Sequence, residues 1–468
     1  MARELTGQDR GQIDSMIANA RAAMRAVAGY PQERIDRLCQ ALGWATANEK
    51  TFGRIVDMSI RESGLGDPQG RHSKRIKILG VLRDALRQKS TGLIEEIPEK
   101  GIAKYAKPAG VIASLVPTTN PELTPPFTGI YALKALDAVI FSPHPRSKAT
   151  TFEMVRVMRE ALVRQGAPAD LFQCIEHPSI PLTEYLMASC DLTLATGGQP
   201  MVRAAYSSGK PAYGVGAGNS TMVIDETADV DIAARNTRMS KTSDFGSGCS
   251  ADGNILIDEK LYDSFIAALV AEGGYLANAQ HAAAIEKVMW DEAGHRLPDT
   301  VACPPQVIAQ RAGLEIPADR KFLIVENDRI GRQHNYSREK LTTLLAVYRF
   351  ANFDEALQKV LQIYDVGGKG HSCGIYSHDD DHIDRLARLA PVSRIMVRQP
   401  QSKANAGSFT NGMPMTSSLG CGIWGGNITN ENIHLKHFLQ TTWVSRPIPE
   451  DRPSDAQLFG EFYNTEAL

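Results

Sequence analysis

LTLATGGQPMVRAAYSSGKP, residues 192–211, runs from a short apolar strand through a glycine pair into a helix that Pro200 opens and Gly209 closes. Strand, tight turn and helix in that order form the repeating unit of a parallel sheet, because parallel neighbours are joined by crossover helices. The same order recurs on both sides of this stretch. VIASLVP (111–117), AVIFSP (138–143) and TMVIDE (221–226) are apolar runs ending in turn residues, with helical patterns over Thr150–Gln165 and Pro200–Ser208. A second series follows from Asn254: NILIDEK, KFLIVEN (321–327), LLAVYRF (344–350), HSCGIYS (371–377) and RIMVRQP (394–400). Two α/β units sharing a tight cleft are therefore expected, the first doubly wound. From Gln12 to Gln88 apolar residues recur every three or four positions (Ile13, Met16, Ile17; Ile35, Leu38, Leu42), with Pro31 opening the second helix. The polar, proline-containing segment 441–468 reads as a tail that docks elsewhere.

The composition suits a globular chain of this length: 468 residues, 43% hydrophobic and 22% charged. A net charge of −2 gives no field for nucleic acid or an anionic membrane surface. The start, MARELTGQDRGQID, has no apolar leader, and no run approaches the roughly 20 apolar residues that cross a bilayer, so a cytoplasmic location is expected. The cysteines at 39, 174, 190, 249, 303, 373 and 421 lack the spacing of a zinc site or redox pair, so free thiols and no metal are expected.

Three segments carry candidate chemistry. At Gly197–Gly198 a helix N-terminus with close-approaching backbone suits a pyrophosphate, although the Rossmann glycine spacing is missing and a paired glycine at a strand end is more often just a turn. Cys249 lies in KTSDFGSGCSADGN, where small neighbours admit a ligand and backbone N–H groups are expected to lower the thiol pKa; the alternative is an incidental loop thiol. Asn120 lies between prolines in PTTNP (117–121), as an oxyanion donor or an Asx-type cap.

Taken together, VPTTNP (116–121), FSPHPRSKAT (141–150), LATGG (194–198), AAYSSGKPAYGVGAGN (204–219), KTSDFGSGC (241–249), EKL (339–341), GGKGH (367–371) and LGCGIWGGN (419–427) resemble the aldehyde dehydrogenase superfamily, in its coenzyme A-acylating branch. They run in family order. The resemblance implies an aldehyde dehydrogenase-like α/β fold: a doubly wound cofactor-binding domain over 1–225 completed by about 426–440, a catalytic domain over 226–425, and a small oligomerisation element in 441–468. It implies Cys249 as nucleophile and Asn120 as oxyanion donor. Cofactor contacts are implied for Ser142, Pro143, His144, Arg146, Thr196, Gly197, Gly198, Gly214 and Glu339, the last of which reads otherwise as a solvated helix-end charge.

Hydrolytic relatives carry a glutamate where this sequence has Gly214, and without that base a thioester persists until another thiol attacks. The implied reaction therefore oxidises a short aldehyde to its acyl-CoA, with NADP or NAD as cofactor and coenzyme A as co-substrate. Ser147 between Arg146 and Lys148 tilts the choice towards NADP. Sulfoacetaldehyde is the first substrate expected, with succinate semialdehyde or acetaldehyde behind it; Arg238 and Lys241 are candidates for its charged end, though solvated charges read as well. A homodimer or homotetramer is expected. The rival readings are a hydrolytic dehydrogenase, an acyl-phosphate reductase indifferent to coenzyme A, and a nucleotide-binding protein without aldehyde turnover.

Overall fold

The computed structural model describes residues 4–463, so 464–468 of the expected tail lie outside the described residues. Five helices lead the chain: α1 (Gly7–Val27), α2 (Gln32–Ala47), α3 (Glu49–Ser63), α4 (Pro68–Ser73) and α5 (Arg75–Leu86). Their three- and four-residue spacing buries one stripe each, with Ile13, Ile35, Leu38 and Leu42 inside. Thr6 and Asp9 cap α1 reciprocally, and Pro31 occupies the N-cap of α2.

Two strands, β1 (Gly92–Ile97) and β2 (Ile102–Pro108), then form an antiparallel hairpin. The first parallel sheet follows: β3 (Val111–Val116), α6 (Thr124–Ala135), β4 (Ala138–Pro143), α7 (Lys148–Arg164), β5 (Phe172–Cys174), α8 (Ile180–Ser189), β6 (Leu192–Thr196), α9 (Gln199–Tyr206) and β7 (Ala212–Val215). Its order is β5-β4-β3-β6-β7, with every pairing parallel. All six residues of β3 and of β4 are buried, as strands covered on both faces require. The chain winds outward from β3 to β5 and returns beside β3 with β6, so the crevice of a doubly wound sheet opens at the C-terminal ends of β3 and β6. Helix α9 stops at Tyr206, with Ser207 as its C-cap and Gly209 left-handed two residues on, earlier than the expected close at Gly209.

The second sheet has seven parallel strands: β8 (Thr221–Ile224), β9 (Asn254–Asp258), β10 (Gly274–Ala277), β11 (Phe322–Glu326), β12 (Leu344–Phe350), β13 (Cys373–Tyr376) and β14 (Ile395–Val397), ordered β10-β11-β12-β9-β8-β13-β14. Helix α10 (Val230–Thr242) connects β8 towards β9. Thr221 pairs with both Asn254 and Cys373, so β8 sits inside this sheet. The chain thus crosses between sheets within 216–220, earlier than the division drawn at residue 225 from the sequence.

The last strand, β15 (Leu439–Ser445), pairs with β2 and completes a three-stranded antiparallel sheet. Immediately before it, Ile433, Leu435 and Phe438 pack into the apolar cluster of the five-stranded sheet and the N-terminal helices.

Candidate active site

The C-terminal edge of the five-stranded sheet faces the N-terminal edge of the seven-stranded one across a cavity of about 260 Å³. Loops after β3, β6 and β7 contribute Asn120, Thr196, Gly197, Gly198 and Gly216; loops before β9, β12 and β13 contribute Cys249, Glu339 and His371. Register explains the second set. Thr221, Asn254, Ala346 and Cys373 are level across four neighbouring strands, so the loops leading into them converge.

Cys249 Sγ lies 3.0 Å from His371 Nε2, and His371 Nδ1 lies 2.8 Å from Ser372 Oγ. Ser220 Oγ donates to the Cys249 carbonyl at 3.2 Å and sits 3.2 Å from Ser372 Oγ. With its own proton committed, Ser220 accepts from Ser372, Ser372 accepts from His371 Nδ1–H, and Nε2 is left with a lone pair aimed at the thiol. Arg394 fixes the histidine main chain by donating to His371 O at 2.8 Å.

The thiol pKa is opposite to expectation. Burial first, then the charge of Glu339, pushes Cys249 up to about 12, while burial and the Arg394 charge push His371 down to about 3. Desolvation outweighs the loop amides because it penalises the charged form of either group. The resting pair is a neutral thiol beside a neutral imidazole, an arrangement in which His371 Nε2 can take the thiol proton as the sulfur reacts.

The loop before Cys249 is held in an unfavourable backbone shape. Asp244 and Phe245 are left-handed, with φ of 51° and 50°, a conformation that persists only where surroundings impose it. Those surroundings are Arg71 Nε at 3.1 Å, Lys74 Nζ at 2.6 Å, the Asp67 N–H at 2.9 Å and Ser247 Oγ at 2.9 Å, all on the Asp244 carboxylate. Gly218 lets the loop close: a Cβ there would sit 2.0 Å from Cys249 O.

Lys74 also donates to Asn120 Oδ1 at 2.9 Å. That leaves Asn120 Nδ2 without a partner among the described residues, a donor available to the cavity; the side chain makes no Asx-type cap. The Cys249 N–H is likewise outside any backbone ladder. Two donors for a developing oxyanion therefore line the cavity, Asn120 from the five-stranded sheet and the Cys249 N–H from the seven-stranded one.

On the same edge as Asn120, the amides of Gly197, Gly198 and Gln199, at the start of α9, form no backbone hydrogen bond among the described residues. Free amides at a helix N-terminus fit a pyrophosphate. Thr196 Oγ1 is held by Ser418 Oγ at 2.8 Å. Glu339 follows a 3₁₀ turn, not the expected helix end, and its carboxylate accepts the Gly218 N–H at 3.0 Å; burial raises its pKa to about 8. These groups fit a dinucleotide.

Ser142, Pro143, His144 and Arg146 lie at the C-terminal end of β4 and beyond, outside the lining of this cavity. Ser142 Oγ pairs with Thr183 Oγ1 at 2.8 Å, His144 Nδ1 accepts from Arg146 N at 3.1 Å, and Arg146 Nη2 donates to Ser63 O at 2.6 Å. Gly214 does not line the cavity either. A Cβ on it would meet Val202 Cγ1 at 2.6 Å and Tyr206 Cε2 at 2.9 Å, so its contribution is packing, with Val215 and Gly216 forming the wall instead. Arg238 pairs with Glu272, and Lys241 Nζ donates to Asp252 O at 2.7 Å, so neither reaches the cavity. The residues that sequence reasoning missed are His371, whose GGKGH segment had no role attached, and Lys74.

The sequence profile of the Aldehyde dehydrogenase family matches residues 3–280. A sulfoacetaldehyde dehydrogenase from an Acholeplasma species is 43% identical over 455 residues, covering 96% of this chain and 94% of the relative. An acylating sulfoacetaldehyde dehydrogenase from Bilophila wadsworthia is 39% identical, covering 96% of this chain and 98% of its own. Among solved structures, an acetylating aldehyde dehydrogenase from Geobacillus thermoglucosidasius superposes with a TM-score of 0.92 at 33% identity, covering 97% of this chain and all of the other. No helix among the described residues is long and apolar enough to cross a membrane.

Proposed function

Because this chain belongs to the aldehyde dehydrogenase family, we propose that its cavity oxidises a short aldehyde to the coenzyme A thioester, with Cys249 as the covalent nucleophile. The observation carrying this reading is the Cys249–His371 contact of 3.0 Å in a cavity that also contains Asn120.

The aldehyde carbonyl takes the Cys249 sulfur while His371 Nε2 takes the thiol proton, and Asn120 Nδ2 and the Cys249 N–H receive the alkoxide. Bound NAD(P)+ supplies the hydride acceptor, positioned by the α9 amides and Glu339. His371 passes its proton to solvent, accepts the proton of the incoming coenzyme A thiol, and returns it to Cys249 as the acyl group leaves. Among the described residues, no lining carboxylate is free to activate water. The lining carboxylates are Asp244, tied to Arg71 and Lys74, and Glu339, held by Gly218, while position 214 has no room for a side chain.

Sulfoacetaldehyde is the first substrate on this reading, supported by the activities named for the two relatives. NADP is the preferred cofactor, supported by Arg146 and Lys148 flanking Ser147 in the turn after β4. The β1-β2-β15 sheet, with Trp443 58% exposed, joins subunits into a dimer or tetramer. The test is cofactor reduction with and without coenzyme A. Steady turnover should require it, and its omission should leave one equivalent of reduced cofactor and an acyl mass on the Cys249 peptide. Rapid acid release without coenzyme A would refute the acylating reading.

A further inference from the structure

Resting on the acylating reading, we infer that Lys77, backed by Lys403, is the receptor for an anionic tail on the aldehyde, and that this lysine pair selects sulfonate- or carboxylate-bearing substrates over neutral ones.

Lys77 follows Lys74 by three residues at the start of α5, so both project from one face of the helix, and both line the cavity that contains Cys249. Their surroundings differ. Arg71 and Lys74 share the carboxylates of Asp244 and Glu122, two cations against two anions: Arg71 lies 3.1 Å from Asp244 and 3.6 Å from Glu122, and Lys74 lies 2.6 Å from Asp244. That network holds the nucleophile loop and Asn120, and it is complete. Lys77 has no side-chain hydrogen bond or ion pair among the described residues.

Lys403, from the helical turn Gln401–Ala404, approaches the same end of the cavity. Its Nζ donates to Ser243 Oγ at 2.8 Å, and Ser243 and Ser402 both line the wall. The charged groups acting on Lys77 are Lys403, Lys74, Asp244 and Cys249; those acting on Lys403 are Lys74, Asp244 and Asp67. Burial, then the Lys403 and Lys74 ammonium groups, pushes Lys77 down to about 7.

A half-buried ammonium that lines a cavity without a counter-ion contributes nothing to packing that a methionine could not. Placed in a reaction cavity, it is explained by a ligand that brings the missing charge. Cys249 and Lys77 line the same cavity, so a substrate whose carbonyl reaches the sulfur can present its tail to the ammonium.

The experiment compares kcat/KM for sulfoacetaldehyde, succinate semialdehyde and propionaldehyde, with coenzyme A and NADP+, in the wild type and in Lys77→Gln, Lys77→Arg and Lys403→Gln. The anionic-to-neutral ratio should fall about 100-fold in Lys77→Gln and about tenfold in Lys403→Gln, and recover most of that in Lys77→Arg. Lys77→Gln removes an unpaired charge and should fold. A second arm does not need turnover: the rate of Cys249 alkylation by iodoacetate relative to iodoacetamide, followed by mass spectrometry, should fall about tenfold in Lys77→Gln. Unchanged ratios in both arms overturn the receptor. A wild type that reduces no cofactor with any aldehyde, yet shows the alkylation effect, sinks the acylating reading and supports the receptor.

Discussion

The two edges that meet at the cavity work by different physics. On the C-terminal edge of the five-stranded sheet, the groups offered to a ligand are the main-chain amides of Gly197, Gly198 and Gln199 and the side-chain amide of Asn120, donors that do not titrate. On the N-terminal edge of the seven-stranded sheet they are side chains, Cys249, His371 and Glu339, each displaced from its ordinary pKa chiefly by desolvation. On the proposed function the first edge supplies fixed donors and the second the groups that exchange protons, so the largest losses of rate are expected on the second.

Replacing Cys249 with Ala should give the largest effect, loss of turnover by at least about four powers of ten with cofactor still bound; turnover within a hundredfold of wild type would remove the nucleophile from this edge. His371→Gln comes next, at about two to four powers of ten in kcat. Its pH dependence is diagnostic. Because the Cys249 pKa is raised to about 12, thiolate is scarce at neutrality and increases with pH, so the residual rate of His371→Gln should climb about tenfold per unit between pH 7 and 9. A flat profile would mean the thiol ionises without the imidazole. Asn120→Ala should lose about two to three powers of ten in kcat with little change in KM; a KM effect alone would reassign it to ground-state binding.

How much of this was legible follows the same division. The amide-bearing edge is written in contiguous motifs, since strand, glycine pair and helix lie within residues 192–211, and β3, β4, β6, β8, β9, β11, β12, β13 and β14 showed as apolar runs, while β5, β7 and β10, three or four residues each, were too short to read. Cys249 and Asn120 stood out by loop composition and family resemblance. His371 did not, because its role depends on β13 lying beside β8, which brings residue 371 to residue 249 from more than a hundred positions away. Nor did the sign of the Cys249 shift, which loop amides argued downward and burial sets upward. The hairpin β1–β2 went unread because its partner β15 lies at the far end of the chain and the strands carry mostly exposed or half-buried residues, with no alternation to detect.

Gly214 sharpens the comparison from the binding side. If hydrolysis were absent only for want of a carboxylate, Gly214→Glu would restore it. The packing predicts otherwise: a side chain there meets Val202 and Tyr206, and overpacking of this kind costs about 1–3 kcal/mol. The variant should melt several degrees lower and still require coenzyme A. Acid release without coenzyme A at an unchanged Tm would show that the strand can turn this position into the cavity.

The smallest effect sits where the two edges touch, at Glu339, whose carboxylate accepts the Gly218 N–H at 3.0 Å. Burial raises its pKa from 4.5 to about 8, so the folded protein favours the protonated acid. The resulting stabilisation is complete below about pH 4.5 and disappears as pH rises through about 8, above which the fold carries a poorly solvated carboxylate. Glu339→Gln keeps the shape and removes the titration. Its Tm should match wild type at pH 5 and exceed it by a few degrees at pH 9, a modest gain because the side chain is partly exposed. If the carboxylate is kept for the cofactor ribose, the same variant should raise the cofactor KM about tenfold, the scale of one lost charged hydrogen bond. Gain in Tm without loss of cofactor affinity would leave Glu339 as a burden on the reacting edge with no tie to the binding one.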